Sequence, residues 1–281
     1  MGMPARREVV NLDANIVTGL LVDERARTYV REVRRNGARV MLSPGVIREI
    51  ARTPRQRRER LVDAAIEHCD GFVNLPFYEI FEREIRALND GIAVPQMPEV
   101  PIAQLNRIRD DVFARKTATE LDVKGLRQSV IKMFEDLGRA GKKVELEATF
   151  EVFLKGWLGD IFRMLLDVAM AHGCPKLAPP PREQWMNEDK HAIVIGVAFI
   201  GANLYRKLSG EMLKGEGSYR DIWNVMEVAH SSKFLTRDKE LFECGKLVRG
   251  VITSGGPHIV WVPLPGEVGS GGQEVARLPQ H

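Results

Sequence analysis

Cysteine is scarce. Cys69, Cys174 and Cys244 are the three in 281 residues, odd in number and far apart. That spacing supports neither a disulfide framework nor a zinc site, and reduced structural thiols are expected. Aromatic residues make up only 7%, and Trp157, Phe162, Trp185 and Phe199 read as core of the middle of the chain before they read as base-stacking platforms. No apolar run approaches the ~20 residues of a membrane span. The opening MGMPARREVV has no signal-peptide core, and Arg6 breaks a myristoylation pattern, so the cytoplasm is the expected compartment. Among the six histidines there is no H-x-x-H or H-E-x-x-H spacing, which argues against a zinc hydrolase. No G-x-x-x-x-G-K-S/T or G-x-G-x-x-G follows a strand-like run, and G-x-S-x-G is absent. Nucleotide-driven, dinucleotide and serine-hydrolase chemistry therefore lack their usual sequence supports.

What is present is a set of acids at strand–helix junctions. Glu8 to Leu12 is a short apolar run closing on Asp13, and Arg39–Leu42 is a second such strand. Ser43-Pro44 reads as an N-cap followed by proline in the first helical turn, and Glu49 falls inside that helix. Near the other end, Asp221 starts a helical stretch that runs to His230. The strand Phe234–Thr236 closes on Arg237-Asp238, and Lys239–Arg249 is again helical. In an open α/β sheet, ligands gather at the carboxyl ends of the strands. Asp13, Glu49, Asp221 and Asp238 all fall at or just after such an end. Taken singly, Asp221 and Asp238 also read as helix caps and Glu49 as a surface residue. Asp13 is harder to dismiss, because an acid after a fully apolar strand is costly without a partner.

Charge is unevenly spread. The net charge is +3, yet residues 25–60 hold twelve arginines against Glu32, Glu49 and Glu59, a local +9 that leaves −6 elsewhere. Arg48 lies on the helix carrying Glu49, and Arg52, Arg55, Arg57, Arg58 and Arg60 follow directly on it. They are candidates to track a nucleic-acid backbone, although a solvated helix face is the plain alternative.

Strands alternate with helices through residues 7–76: Val9–Leu12, a helix over Asp23–Arg35, Arg39–Leu42, a helix over Pro44–Arg52, a helix over Leu61–His68, and a strand beginning at Gly71. That order predicts a parallel sheet with right-handed crossovers. Residues 77–212 read almost wholly as helix, with helices expected over Phe77–Leu88, Ile102–Thr117, Val123–Arg139, Val144–Ala171 and Glu188–Leu208. Proline-rich connectors fall at 94–101 and 173–181. The α/β pattern resumes over 213–265, and the Gly- and Ser-rich residues 266–281 read as a disordered tail. The expectation is an α/β domain split by an inserted helical subdomain.

These motifs resemble the PIN-domain ribonucleases, a family that includes many bacterial toxins of toxin–antitoxin pairs. The likeness rests on Asp13-x-Asn15 after the first strand, Glu49 after the second, and Asp221 followed by Thr236-x-Asp238, over residues 7–70 and 215–265. It implies a three-layer α/β/α sandwich around a mainly parallel sheet. It also implies a Mg²⁺ or Mn²⁺ site on Asp13, Glu49, Asp221 and Asp238, with Asn15 and Thr236 orienting those acids. The activity implied is endoribonuclease hydrolysis, with RNA as substrate and an antitoxin-type protein or a second copy as partner. A weakly catalytic nucleic-acid-binding scaffold and a structure-specific DNA nuclease are the alternatives. The helical middle departs from the small members of the family.

Overall fold

The computed structural model describes residues 8–93, 97–120, 135–136, 149–171, 192–209, 223–252 and 256–263. Six strands, β1 (Val9–Leu12), β2 (Arg39–Leu42), β3 (Gly71–Val73), β4 (Glu99–Pro101), β5 (Lys233–Thr236) and β6 (His258–Trp261), form one sheet in the order β4-β3-β2-β1-β5-β6. All neighbours are parallel except β3 and β4. β1 lies at the centre, so Asp13 leaves the sheet between the ends of β2 and β5.

Adjacent residues of the central strands face opposite sides. Val10, Leu12, Val40, Leu42, Leu235 and Val260 enter one core, and Phe234, Ile259 and Trp261 enter the other. This two-sided burial explains why the strands read as continuous apolar runs. The first core is covered by α1 (Ala14–Val22), α2 (Glu24–Arg35), α3 (Pro44–Arg52), α4 (Arg55–His68), a 3₁₀ helix (Ile102–Arg109) and α6 (Asp111–Glu120). The second is covered by α5 (Phe77–Asp90), α7 (Phe150–Ala171), α8 (Ala192–Leu208), the helical turn 223–227 and α9 (Lys239–Val251). The protein is thus an α/β fold with a mostly parallel sheet and helices on both faces.

Several elements differ from the sequence expectation. α1 was not foreseen: its ANIVTGLLV carries no polar face, and its start is marked only by Asp13 accepting from the Ala14 N–H. The helix expected from Ile102 breaks at Asp110, whose Oδ1 accepts from the Val112 and Phe113 N–H groups and starts α6 afresh. The proline-rich 94–101 connector contains the edge strand β4. Of the helix expected at Val123–Arg139, only 135–136 lie among the described residues.

The described helices of the middle segment pack into the cores of the α/β fold. α5, α7 and α8 share a core with β5, β6 and α9. A fully buried Glu84 on α5 accepts from the Ala192 and Ile193 N–H groups at 2.7 and 3.0 Å, capping α8, and contacts His230 Nε2 at 3.0 Å.

Candidate active site

At the carboxyl end of β1 and β5, one hydrogen-bonded net joins four sequence-predicted residues. Asp13, 4% exposed, accepts from three donors: Ala14 N–H at 2.7 Å on Oδ1, and Asn15 Nδ2 at 2.6 Å and Thr236 Oγ1 at 2.7 Å on Oδ2. Asn15 Oδ1 in turn accepts from the Arg237 N–H at 3.0 Å, and Thr236 Oγ1 from the Asp238 N–H at 2.9 Å. Asp13 N–H donates to Leu235 O at 2.9 Å. The two strand ends are therefore locked in register around the acid, so its orientation is fixed before any ligand arrives.

Asp238 is the N-cap of α9. Its Oδ1 takes the Glu240 and Leu241 N–H groups at 2.8 and 3.0 Å, and its Oδ2 meets no donor among the described residues. Arg237, between the two site residues, turns away from them. Its guanidinium pairs with the buried Asp23 at the start of α2 and lies over Gly19, where a Cβ would fall 2.8 Å from Nη1.

Glu49 reaches the net through the electric field. The Asp13 carboxyl is pushed up to about 6, first by burial, with the charges of Glu49 and Asp238 adding to it, against the Thr236 and Ala14 hydrogen bonds that favour the anion. The charges of Glu49 and Asp238, from two other elements, thus both bear on Asp13 near the end of β1. Asp221 lies outside the described residues.

A fifth acid escaped the sequence reading. Glu227, 3% exposed, accepts from the Gly45 N–H at 2.7 Å and from the Phe77 N–H. It therefore caps α3 and α5 together, the latter having no side-chain cap of its own. Burial pushes its carboxyl up to about 7; Arg48 and the two backbone hydrogen bonds oppose that, and Glu49 adds to it. The available signal was an acid inside the apolar run Trp223–Ala229, six residues after Asp221, a burial that demands a partner.

Beside Glu227, Asn224 is 1% exposed, and neither of its amide atoms has a hydrogen-bond partner among the described residues. It presses on Gly45, where a Cβ would collide with Asn224 Oδ1 and lie 3.2 Å from Glu227 Oε2.

The arginines divide. Arg58 is a structural residue, which corrects its reading as a phosphate contact. It is 5% exposed, pairs with Asp111, and donates to Thr53 O and Arg109 O at 3.2 and 3.3 Å. Arg55 is exposed and paired with Glu59 at 3.0 Å. Arg52 and Arg57 are exposed, and Arg48 is half-buried near Glu227.

Carboxylate oxygens are the kind of donor that a hard divalent cation takes. A carboxylate offers about four lone-pair sites, so Asp13 retains one beyond its three donors, and Asp238 Oδ2 is unclaimed. Among the described residues, however, no three His, Cys, Asp or Glu side chains stand close enough together to hold a metal ion. No helix among those residues is long and apolar enough to cross a membrane. Comparison with known protein families, with curated proteins and with solved structures finds no match.

Proposed function

We propose that this chain is a PIN-like, Mg²⁺- or Mn²⁺-dependent nuclease that hydrolyses phosphodiester bonds in RNA. The observation that carries this reading is the hydrogen-bonded net that joins Asp13, Asn15, Thr236 and Asp238 at the carboxyl ends of β1 and β5, with the charge of Glu49 felt at Asp13. Mutually repelling, partly buried acids are costly to keep in a fold unless a cation or a reaction uses them. Asp13 and Asp238, with the sequence-predicted Asp221, would hold the ion, and Glu49 would act on it through water. When bound, it supplies charge neutralisation at the phosphoryl oxygens and a lowered pKa for an attacking water.

The chain's own residues do the rest. Thr236 and Asn15 hold Asp13 in one rotamer. The α9 N-terminus takes one oxygen of Asp238 and leaves the other for the site. Glu227 fixes the start of α3, and with it the helix from which Glu49 projects. Water adds to phosphorus as the 3′-oxygen leaves, giving a 3′-hydroxyl and a 5′-phosphate on the downstream product.

A second reading has a specific observation behind it. Asp13 and Asp238 each cap a helix, which is a sufficient structural role in a binding or scaffold protein. Incubation of labelled single-stranded RNA and DNA with Mn²⁺, Mg²⁺ or EDTA separates the two. Metal-dependent RNA cleavage leaving 5′-phosphate ends supports the nuclease; RNA binding without any cleavage supports the scaffold. An antitoxin-type partner belongs to the nuclease reading, and growth arrest on expression, relieved by Asp13→Asn, is its cellular sign.

A further inference from the structure

Subtracting the arginines that already have work to do changes the meaning of the basic segment. Arg27 and Arg31 meet Glu24, Arg34 meets Asp70, Arg39 meets Glu99, Arg55 meets Glu59 and Arg58 meets Asp111. Arg57 and Arg60 are exposed and have no hydrogen-bond or ion-pair partner among the described residues. One helical turn apart on α4, they share a face and line an open groove against the outer face of α1. Thr18, Leu21 and Val22 form the opposite wall, with Gln56 beside the arginines. Val22 is 75% exposed, an apolar wall across the groove from two unpaired cations.

The geometry points to this groove as a binding site for the phosphodiester backbone of a single nucleic-acid strand. Arg57 and Arg60 are placed for adjacent phosphates, with Thr18 and Gln56 supplying neutral hydrogen bonds. Guanidinium is the side chain best matched to phosphate oxygens. The exposed Val22, with the half-buried Leu21 beside it, suits the face of an unstacked base, which a duplex does not present. Position supports the same occupant. α1 starts at Asp13, and at 1.5 Å per residue the groove begins roughly 7 Å along the helix and extends to about 13 Å. A strand lying in it would run on toward the acids. The inference rests on the nuclease reading only in making that strand the substrate.

The test is binding of a fluorescein-labelled single-stranded RNA, and of the DNA of the same sequence, to the full chain carrying Asp13→Asn so that nothing is cut. Anisotropy titrations over a range of salt compare this background with added Arg57→Ala/Arg60→Ala, Arg57→Lys/Arg60→Lys, and Arg25→Ala/Arg35→Ala. The last pair is also exposed and unpartnered but lies outside the groove. Loss of two phosphate contacts should flatten the log–log salt slope by about 1.4 and weaken binding about tenfold. The lysine pair should keep the slope, and the control pair should leave both quantities near the starting values. Equal loss in the control pair, or no loss in the groove pair, overturns the inference. So does equally tight binding of poly-glutamate with the same dependence on Arg57 and Arg60, which would make the groove a site for acidic protein. Because binding is read without cleavage, an inactive wild type leaves this result standing, and an active one with unchanged binding removes it.

Discussion

Glu227 Oε2 accepts a 2.7 Å hydrogen bond from the Gly45 N–H, across 182 positions of chain. The bond ties the helical turn ahead of β5 to the first turn of α3, the helix bearing Glu49. It forms only because Gly45 has no side chain: a Cβ there would strike Asn224 and crowd the same carboxylate.

Gly45→Ala should therefore destabilise the fold by about 1–3 kcal/mol through overpacking. Asn224→Ala removes the obstructing amide, whose atoms have no partner among the described residues, and the double variant should recover much of the loss. Urea denaturation of the four proteins gives the coupling. Strictly additive effects would show that the two side chains do not compete for this space.

Glu227 also sets a pH dependence. Folding raises its carboxyl from 4.5 to about 7, so the folded chain retains a proton that the unfolded chain releases. The stabilisation from that proton is complete below about pH 4.5 and is lost as pH rises through about 7. Glu227→Gln keeps an acceptor and does not titrate. Relative to wild type, the variant should gain on the order of 3 kcal/mol of stability between about pH 4.5 and about pH 8. Parallel urea midpoints across that window would contradict the buried-acid assignment.

Asp13 governs activity on the acid side. Its carboxyl lies at about 6 without a cation, so protons compete with the metal there, and at sub-saturating metal cleavage should fall by up to about tenfold per pH unit below that point. Thr236→Val deletes a hydrogen bond that favours the anion, so the acid limb should move to higher pH. A limb that stays in place in the variant, with the fold intact, would place the titrating group elsewhere.

Arg58→Ala should lower the melting temperature by several degrees, because it leaves the Thr53 and Arg109 carbonyls and Asp111 without their shared donor. The salt dependence of RNA binding should be unchanged. A flatter slope would return Arg58 to the nucleic-acid surface.

Much of this arrangement was legible in the residues. Short apolar runs, Val9–Leu12 closing on Asp13 and Phe234–Thr236 two residues before Asp238, located β1 and β5, and Ser43-Pro44 placed the start of α3 to the residue. The cross-strand partnership of Thr236 with Asp13 spans 223 positions, and it was reached through family resemblance rather than through any local pattern. β4 was hidden because a three-residue edge strand, Glu-Val-Pro, has no periodicity of its own and is defined by its neighbour. The 3₁₀ break at Asp110 was hidden because apolar spacing continues across it. Glu227 was hidden for a different reason: a buried carboxylate is justified only by the backbone donors of Gly45 and Phe77, and these come from distant parts of the chain. Arg58 misled because sequence counts charges without pairing them.

The most direct measurement of the central claim is the rate of single-stranded RNA cleavage in Mn²⁺ by the wild type and by Asp13→Asn, each shown to be folded by its melting curve. The account predicts metal-dependent cleavage by the wild type and at least a ~100-fold loss in the variant, which keeps the side-chain shape but removes the anion at the centre of the net. Equal rates for the two proteins would contradict it, and would move the chemistry away from the end of β1.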